Sequence, residues 1–232
     1  MCGIIGYLGG RDTVGVLLEG LRRLEYRGYD SAGVAVLVNG AIEVVKAQGK
    51  LSVLAGILEK ERPIGRLGIG HTRWATHGPP SERNAHPHCD CDGPIAVVHN
   101  GIIENYLELR ERLEAEGHTL RSQTDTEVFP HLLEKYYQGD LERALRRALK
   151  DVRGSYAVVT ISDREPGRLV AARQYSPLVA GLGEDGKENF VASDIPAILG
   201  FTRQAYLIDN GEMVVATEDA IEVTTIAGKA VD

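Results

Sequence analysis

Cys2 stands directly behind the initiating methionine in Met-Cys-Gly-Ile-Ile-Gly, where a cysteine can do chemistry that an interior one cannot. Initiator methionine is trimmed when the next side chain is small, and trimming would leave a thiol and a free α-amine on one residue. An α-amine has a pKa of roughly 7.7–8.0, so a useful fraction is neutral near pH 7 and can take the thiol's proton. Cys2 would then be a nucleophile carrying its own general base. Gly3 would leave the thiol open to a substrate. Against this stands the commoner role of cysteine as a small apolar side chain, here beginning a strand. Position alone does not choose between them.

Three further polar clusters bear on the choice. His71-Thr72-Arg73-Trp74-Ala75-Thr76-His77-Gly78-Pro79-Pro80 follows a short strand, Leu67 to Gly70, and its Gly-Pro-Pro end forbids a helix or central strand. It reads as a loop crowded with donors: Arg73 offers a planar fork for a carboxylate, and Thr76 and His77 add hydrogen bonds. The alternative is a solvated loop with a satisfied histidine. Asn100-Gly101 ends an apolar strand, so the Asn100 amide and the Gly101 N–H could form an oxyanion hole. An ordinary Asn-Gly turn is the other reading. Asp125 precedes a helix and could be its N-cap or could hold a ligand ammonium. An Arg for a carboxylate and an Asp for an ammonium together describe a pocket for a free α-amino acid. His86-Pro87-His88-Cys89-Asp90-Cys91 matches no standard zinc spacing, so neither metal nor cofactor is expected.

The elements that must position these groups are mostly strands. Gly3 to Leu8, Ser31 to Val38, Ala41 to Ala47, Ile95 to His99, Tyr156 to Ile161, Arg168 to Ala172, Leu178 to Leu182, Phe190 to Ala192 and Met213 to Ala216 read as strands. Asn39-Gly40 is a strong hairpin signal because both residues tolerate positive φ. Helices are predicted after Asp12, over Ile103 to Glu116 with Gly117 as terminator, over Thr126 to Tyr137 with Pro130 either in the first turn or kinking the helix, and after Asp140. Helices and hairpins segregate instead of alternating, so an α+β arrangement of antiparallel sheets with packed helices fits better than a doubly wound parallel sheet. No linker, repeat or low-complexity tract divides the chain, and one domain over 1–232 is expected.

Bulk properties exclude several classes. With 43% hydrophobic and 25% charged residues, 232 residues are an ordinary globular balance. A net charge of -7 argues against nucleic acid or an anionic membrane as partner. There is no apolar run long enough to cross a bilayer and no basic stretch typical of a signal peptide. A cytoplasmic location is therefore expected, with the three cysteines as free thiols.

Taken together, the segments resemble the glutaminase domains of glutamine–fructose-6-phosphate aminotransferases. The stretches carrying the resemblance are Cys2-Gly-Ile-Ile-Gly, Leu24-Glu-Tyr-Arg-Gly-Tyr-Asp-Ser-Ala-Gly33, His71-Thr-Arg-Trp-Ala-Thr-His-Gly78, Asn84-Ala-His-Pro-His88, Val98-His-Asn-Gly-Ile-Ile-Glu-Asn105, Thr124-Asp-Thr-Glu127 and Ala192-Ser-Asp194. They span nearly the whole chain. The resemblance implies a class II glutamine amidotransferase with an N-terminal nucleophile (Ntn) hydrolase fold, a four-layer αββα sandwich. It assigns nucleophilic attack and a thioester to Cys2, and oxyanion stabilisation to Asn100 and Gly101. Arg73, Thr76, His77 and Asp125 would bind L-glutamine, under a loop carrying Trp74. Arg27 and His86 take supporting parts. Members of the family continue into a sugar-phosphate isomerase region that binds fructose 6-phosphate, which this chain does not contain. A homodimer is expected of the full enzyme and a monomer of this domain alone. A glutamine sensor of the same fold, or an amidase for another amide, would share the fold but differ in turnover or in dependence on Arg73.

Overall fold

The structure, a computed structural model, describes residues 2–184 and 186–231. The expected trimming of Met1 therefore falls outside the described residues. In chain order the elements are β1 Gly3–Leu8, α1 Thr13–Arg23, β2 Ser31–Val38, β3 Ala41–Gln48, α2 Leu51–Leu58, β4 Leu67–Arg73, β5 His88–Cys89 and β6 Ile95–Ile103. Then come α3 Tyr106–Ala115, α4 Val128–Tyr136, α5 Leu141–Asp151, β7 Gly154–Ser162, β8 Leu169–Gln174, β9 Val179–Leu182, β10 Asn189–Ala192, β11 Gln204–Leu207, β12 Glu212–Ala216 and β13 Ile221–Thr225.

The strands form two antiparallel sheets, one ordered β11-β9-β10-β1-β4-β2-β3 and the other β13-β12-β8-β7-β6-β5. Three apolar clusters fill three interlayer spaces. Ile5, Tyr7, Val34 and Phe190 of the first sheet pack on Leu17 and Leu21 of α1 and Leu54 and Leu58 of α2. Ile4, Ile69, Val98, Val159 and Val191 meet between the sheets. Val97, Val158 and Val170 of the second sheet pack on Phe129 and Leu132 of α4 and Leu145 of α5. Adjacent residues, such as Ile4 and Ile5 or Val97 and Val98, thus go to opposite spaces, as the period of two along a strand requires. The result is the four-layer αββα sandwich that the resemblance implies.

Local signals explain most boundaries. Asn39 (φ 49°) and Gly40 (φ 86°) turn the β2–β3 hairpin. The Asp140 carboxylate accepts the Arg143 N–H at 3.0 Å, and Leu141, Ala144, Leu145, Ala148 and Leu149 form the buried stripe of α5. Asp12 also stands at a helix start, but its carboxylate pairs with Arg62 instead of capping α1. The helix expected from Ile103 begins at Tyr106, because β6 keeps pairing with β7 through Ile103↔Gly154. Among the described residues no helix is long and apolar enough to cross a membrane.

Candidate active site

Pairing of β1 with β4 sets Gly3 opposite Thr72, so Cys2 emerges beside Arg73 at one end of the first sheet. The end of β6, in the other sheet, meets it there: Asn100 Nδ2 donates to the Cys2 carbonyl at 3.1 Å. Cys2 lies where two cavities join. The outer one, about 350 Å³, is lined among others by Cys2, Arg27, Trp74, Thr76, Asn100 and Gly101. The inner one is about 30 Å³ and is walled by Cys2, Arg73, Trp74, Thr76, His86, Gly101 and Asp125, with His99, Thr124 and Thr126. The structure thus gathers nine of the ten expected site residues around the thiol. His77 lines neither cavity; it bonds Thr76 at 3.2 Å, lies 3.6 Å from Asp125 and meets the Tyr106 ring edge-on.

The thiol is held by the loop it faces. Cys2 Sγ accepts the Trp74 N–H at 3.1 Å and lies 3.6 Å from the Trp74 carbonyl. Burial raises its pKa, outweighing the Trp74 hydrogen bond and the positive charge of Arg73. The resting group is therefore the thiol, and attack needs a base. Among the described residues no imidazole or carboxylate hydrogen-bonds this sulfur. Gly3 does not face the substrate side as expected. A Cβ there would lie 2.6 Å from Thr72 Oγ1 and 2.9 Å from Leu24 Cβ, so its missing side chain admits the neighbouring core.

Asn100 is oriented by His71, a residue to which the sequence reading gave no role. His71 Nε2 lies 3.0 Å from Asn100 Oδ1 and 3.1 Å from the His99 carbonyl, both acceptors, so Nε2 carries the hydrogen. That fixes the amide with Nδ2 toward Cys2. His71 stacks on His86 at 4.1 Å, and His86 meets His88 edge-on at 4.8 Å. Burial pulls His71 down to about 3 and holds His86 and His88 well below the ordinary imidazole range. These three rings are neutral packing and positioning groups, not acids or bases. From sequence, His86 takes a supporting part and His71 to Arg73 read as loop; β4 instead continues through Arg73, which buries His71.

Gly101 has φ 131°, and a Cβ there would stand 2.0 Å from the Ser155 carbonyl oxygen. Only glycine fits where this strand passes the cavity.

Arg73 is buried, and its guanidinium bonds the carbonyls of His77, Gly78 (3.1 Å) and Pro79 (3.5 Å) across its own loop. Asp30, another residue the sequence reading passed over, lies 3.9 Å from it and accepts the Ala75 N–H at 2.5 Å. Burial lowers the Arg73 pKa, yet a guanidinium remains cationic at neutral pH. Asp125 is not the α4 cap: its Oδ2 accepts the Ile103 N–H at 2.9 Å, and Glu127 stands at the cap position. Arg27 ties the opposite wall, donating to the Cys2 carbonyl at 3.3 Å and to Asp194 at 2.6 Å. Trp74, more than half exposed, sits on the rim. A half-buried thiol, an amide donor beside it, and a cation and an anion at the inner end can together bind and cleave an amide borne by an amino acid.

Comparison with known proteins identifies the family. A family model described as a glutamine amidotransferase domain matches residues 71–200. The chain is 58% identical over 231 residues to the glutamine–fructose-6-phosphate aminotransferase [isomerizing] of Thermus thermophilus, covering 100% of this chain and 38% of the relative. It is 54% identical to the protein of that name from Symbiobacterium thermophilum, with the same coverage. The chain therefore spans well under half the length of these relatives. Among solved structures, the glutamine phosphoribosylpyrophosphate amidotransferase of B. subtilis superposes with a TM-score of 0.83 at 25% identity, over 97% of this chain and 49% of that one. A glutamine aminotransferase class-II domain protein from Silicibacter pomeroyi shares the fold, with a TM-score of 0.65 at 15% identity over 97% of this chain and 99% of that one. The fold is that of an Ntn hydrolase, and the chain belongs to the glutamine amidotransferase family.

Proposed function

We propose that this chain hydrolyses L-glutamine to glutamate and ammonia through a thioester on Cys2. The observation that carries the reading is the junction at Cys2, with Asn100 and Gly101 on one side and Arg73 and Asp125 on the other. Glutamine enters with its side-chain amide at the thiol, its α-carboxylate toward Arg73 and its α-ammonium toward Asp125. The inner cavity holds only about two or three waters, so the Arg73–Pro79 loop must yield to admit an amino acid. Glutamine's carboxylate then takes over donors that now serve loop carbonyls.

Once Met1 is removed, the Cys2 amine accepts the thiol proton as Sγ attacks the amide carbon. The carbonyl oxygen becomes an oxyanion, stabilised by the Gly101 N–H and by Asn100, whose Nδ2 has a second hydrogen beyond the one given to the Cys2 carbonyl. The ammonium of Cys2 protonates the leaving nitrogen, and ammonia departs as the thioester forms. Water, deprotonated by the same amine, then attacks the thioester; glutamate leaves and the thiol is restored.

Residues 1–232 would form one glutamine amidotransferase unit in the cytoplasm. It would supply ammonia to a sugar-phosphate isomerase region that converts fructose 6-phosphate to glucosamine 6-phosphate, in a homodimeric enzyme. The relatives' names and their greater length support the part of this assignment that joins the unit to an aminotransferase. Glutamate release from glutamine by the chain with Met1 removed, compared with Cys2→Ala, tests the core of it. Release should disappear in the variant, and equal rates would overturn the reading.

A further inference from the structure

Four side chains far apart in sequence come together on the outer side of the second sheet. Cys91 lies between β5 and β6, His118 follows α3, and His131 and Glu134 lie a turn apart on α4. Each offers one ligand atom, and all four atoms lie within 4.8 Å of one another. Cys91 Sγ is 3.7 Å from His118 Nδ1 and 3.5 Å from His131 Nδ1. Glu134 Oε2 is 3.4 Å from His131 Nδ1 and 2.8 Å from His118 Nδ1.

A tetrahedral ion with bonds of about 2.0–2.3 Å has ligand–ligand edges of about 3.3–3.7 Å. Three of the four distances fall in that range. The short one is a hydrogen bond, whose proton an ion would replace. Two imidazoles, a thiol and one carboxylate oxygen are a zinc donor set; calcium and magnesium require oxygen ligands. A thiolate and a carboxylate would also neutralise a divalent charge in a half-buried place.

We propose that Cys91, His118, His131 and Glu134 bind a structural zinc ion. Cys91 enters as thiolate and releases its proton to solvent. Both imidazoles enter neutral, with Nδ1 as the ligand and the hydrogen on Nε2. Four protein ligands leave no open position, so the ion is a staple and not a second catalytic centre. It ties the β5–β6 turn and the loop after α3 to α4, the helix that follows Asp125. The sequence reading expected no metal and weighed only the run His86 to Cys91. Of that run, only Cys91 belongs here: His86 stacks on His71, His88 meets His86 edge-on and bonds Thr124, and Cys89 packs against the core between the sheets.

Cobalt titration of metal-stripped Cys2→Ala protein tests the proposal without using the glutaminase reading. One equivalent of Co2+ should give a sulfur-to-cobalt charge-transfer band. Cys91→Ser should abolish the band and weaken cobalt binding by more than about 100-fold. Zinc should raise the Tm of the parent but not of Cys91→Ser or His118→Gln, both checked as folded by circular dichroism before metal is added. Absence of the band, its survival in Cys91→Ser, or an equal Tm rise in all three proteins would overturn the proposal.

Discussion

His71 decides which way Asn100 faces, and that orientation decides what the site can do. With Oδ1 held by an imidazole N–H, Asn100 presents only donors to the space beside the thiol. Asn100→Ala should lower kcat by about 10²–10³-fold with little change in KM, the loss typical of one oxyanion donor. Steady-state kinetics on glutamine would check this. Asp125→Asn separates binding from chemistry, because an amide oxygen can still accept the Ile103 N–H while the negative charge is gone. Losing a charged partner costs about 1.5–3 kcal/mol, so KM for glutamine should rise about 10–100-fold with kcat less affected. Much of the site could be read as residue types. Arg73 with Asp125 implied an amino acid, and Asn100-Gly101 implied an oxyanion. His71 and Asp30 could not be read this way, because their effect passes through other groups and needs the pairing of distant strands.

At the scale of elements, the end of β6 is where the backbone itself is specified. Gly101→Ala would force a side chain into a glycine-only region of φ and into the Ser155 carbonyl. It should cost at least about 3 kcal/mol, visible as a lower urea midpoint with an unchanged m-value. The same strand shows how far local signals reach. Apolar pattern and turn residues foretold β1, the β2–β3 hairpin, α5 and the inner strands. They missed the continuation of β6 past His99, because Ile102 and Ile103 also suit a helix start, and only pairing with β7 decides. The helix α2 went unread although Leu51, Leu54 and Leu58 are spaced for one face, since one short apolar run between Gly49 and Glu59 fits strand or helix. Both β11 and β13 are edge strands with much exposed surface, so their alternation is faint.

For the whole molecule, burying three neutral imidazoles where the sheets meet makes stability depend on pH. His71, His86 and His88 resist protonation in the folded state, whereas unfolded histidine takes a proton below about pH 6.5. A depressed imidazole pKa leaves stability intact above that value and removes it as pH falls toward the folded values. Between pH 7.5 and 5.5 the loss is about 1.4 kcal/mol per histidine, about 4 kcal/mol for three. Urea unfolding at the two pH values should show it, offset in part by Asp90, whose carboxyl burial raises to about 6, so that the folded chain gains stability there as pH falls. The sandwich also explains how Cys2 comes to sit where the two cavities meet. Strand β1 lies inside the first sheet, flanked by β10 and β4, and Cys2, just before it, is held by Arg27 and Asn100 at its carbonyl and by the Trp74 N–H at its sulfur. Rapid-quench mass spectrometry during glutamine turnover tests the role of that cysteine most directly. The account predicts a glutamyl adduct on residue 2 of a chain lacking Met1, formed and lost at the rate of glutamate release. Turnover without that adduct, or with the adduct on Cys89 or Cys91, would contradict it.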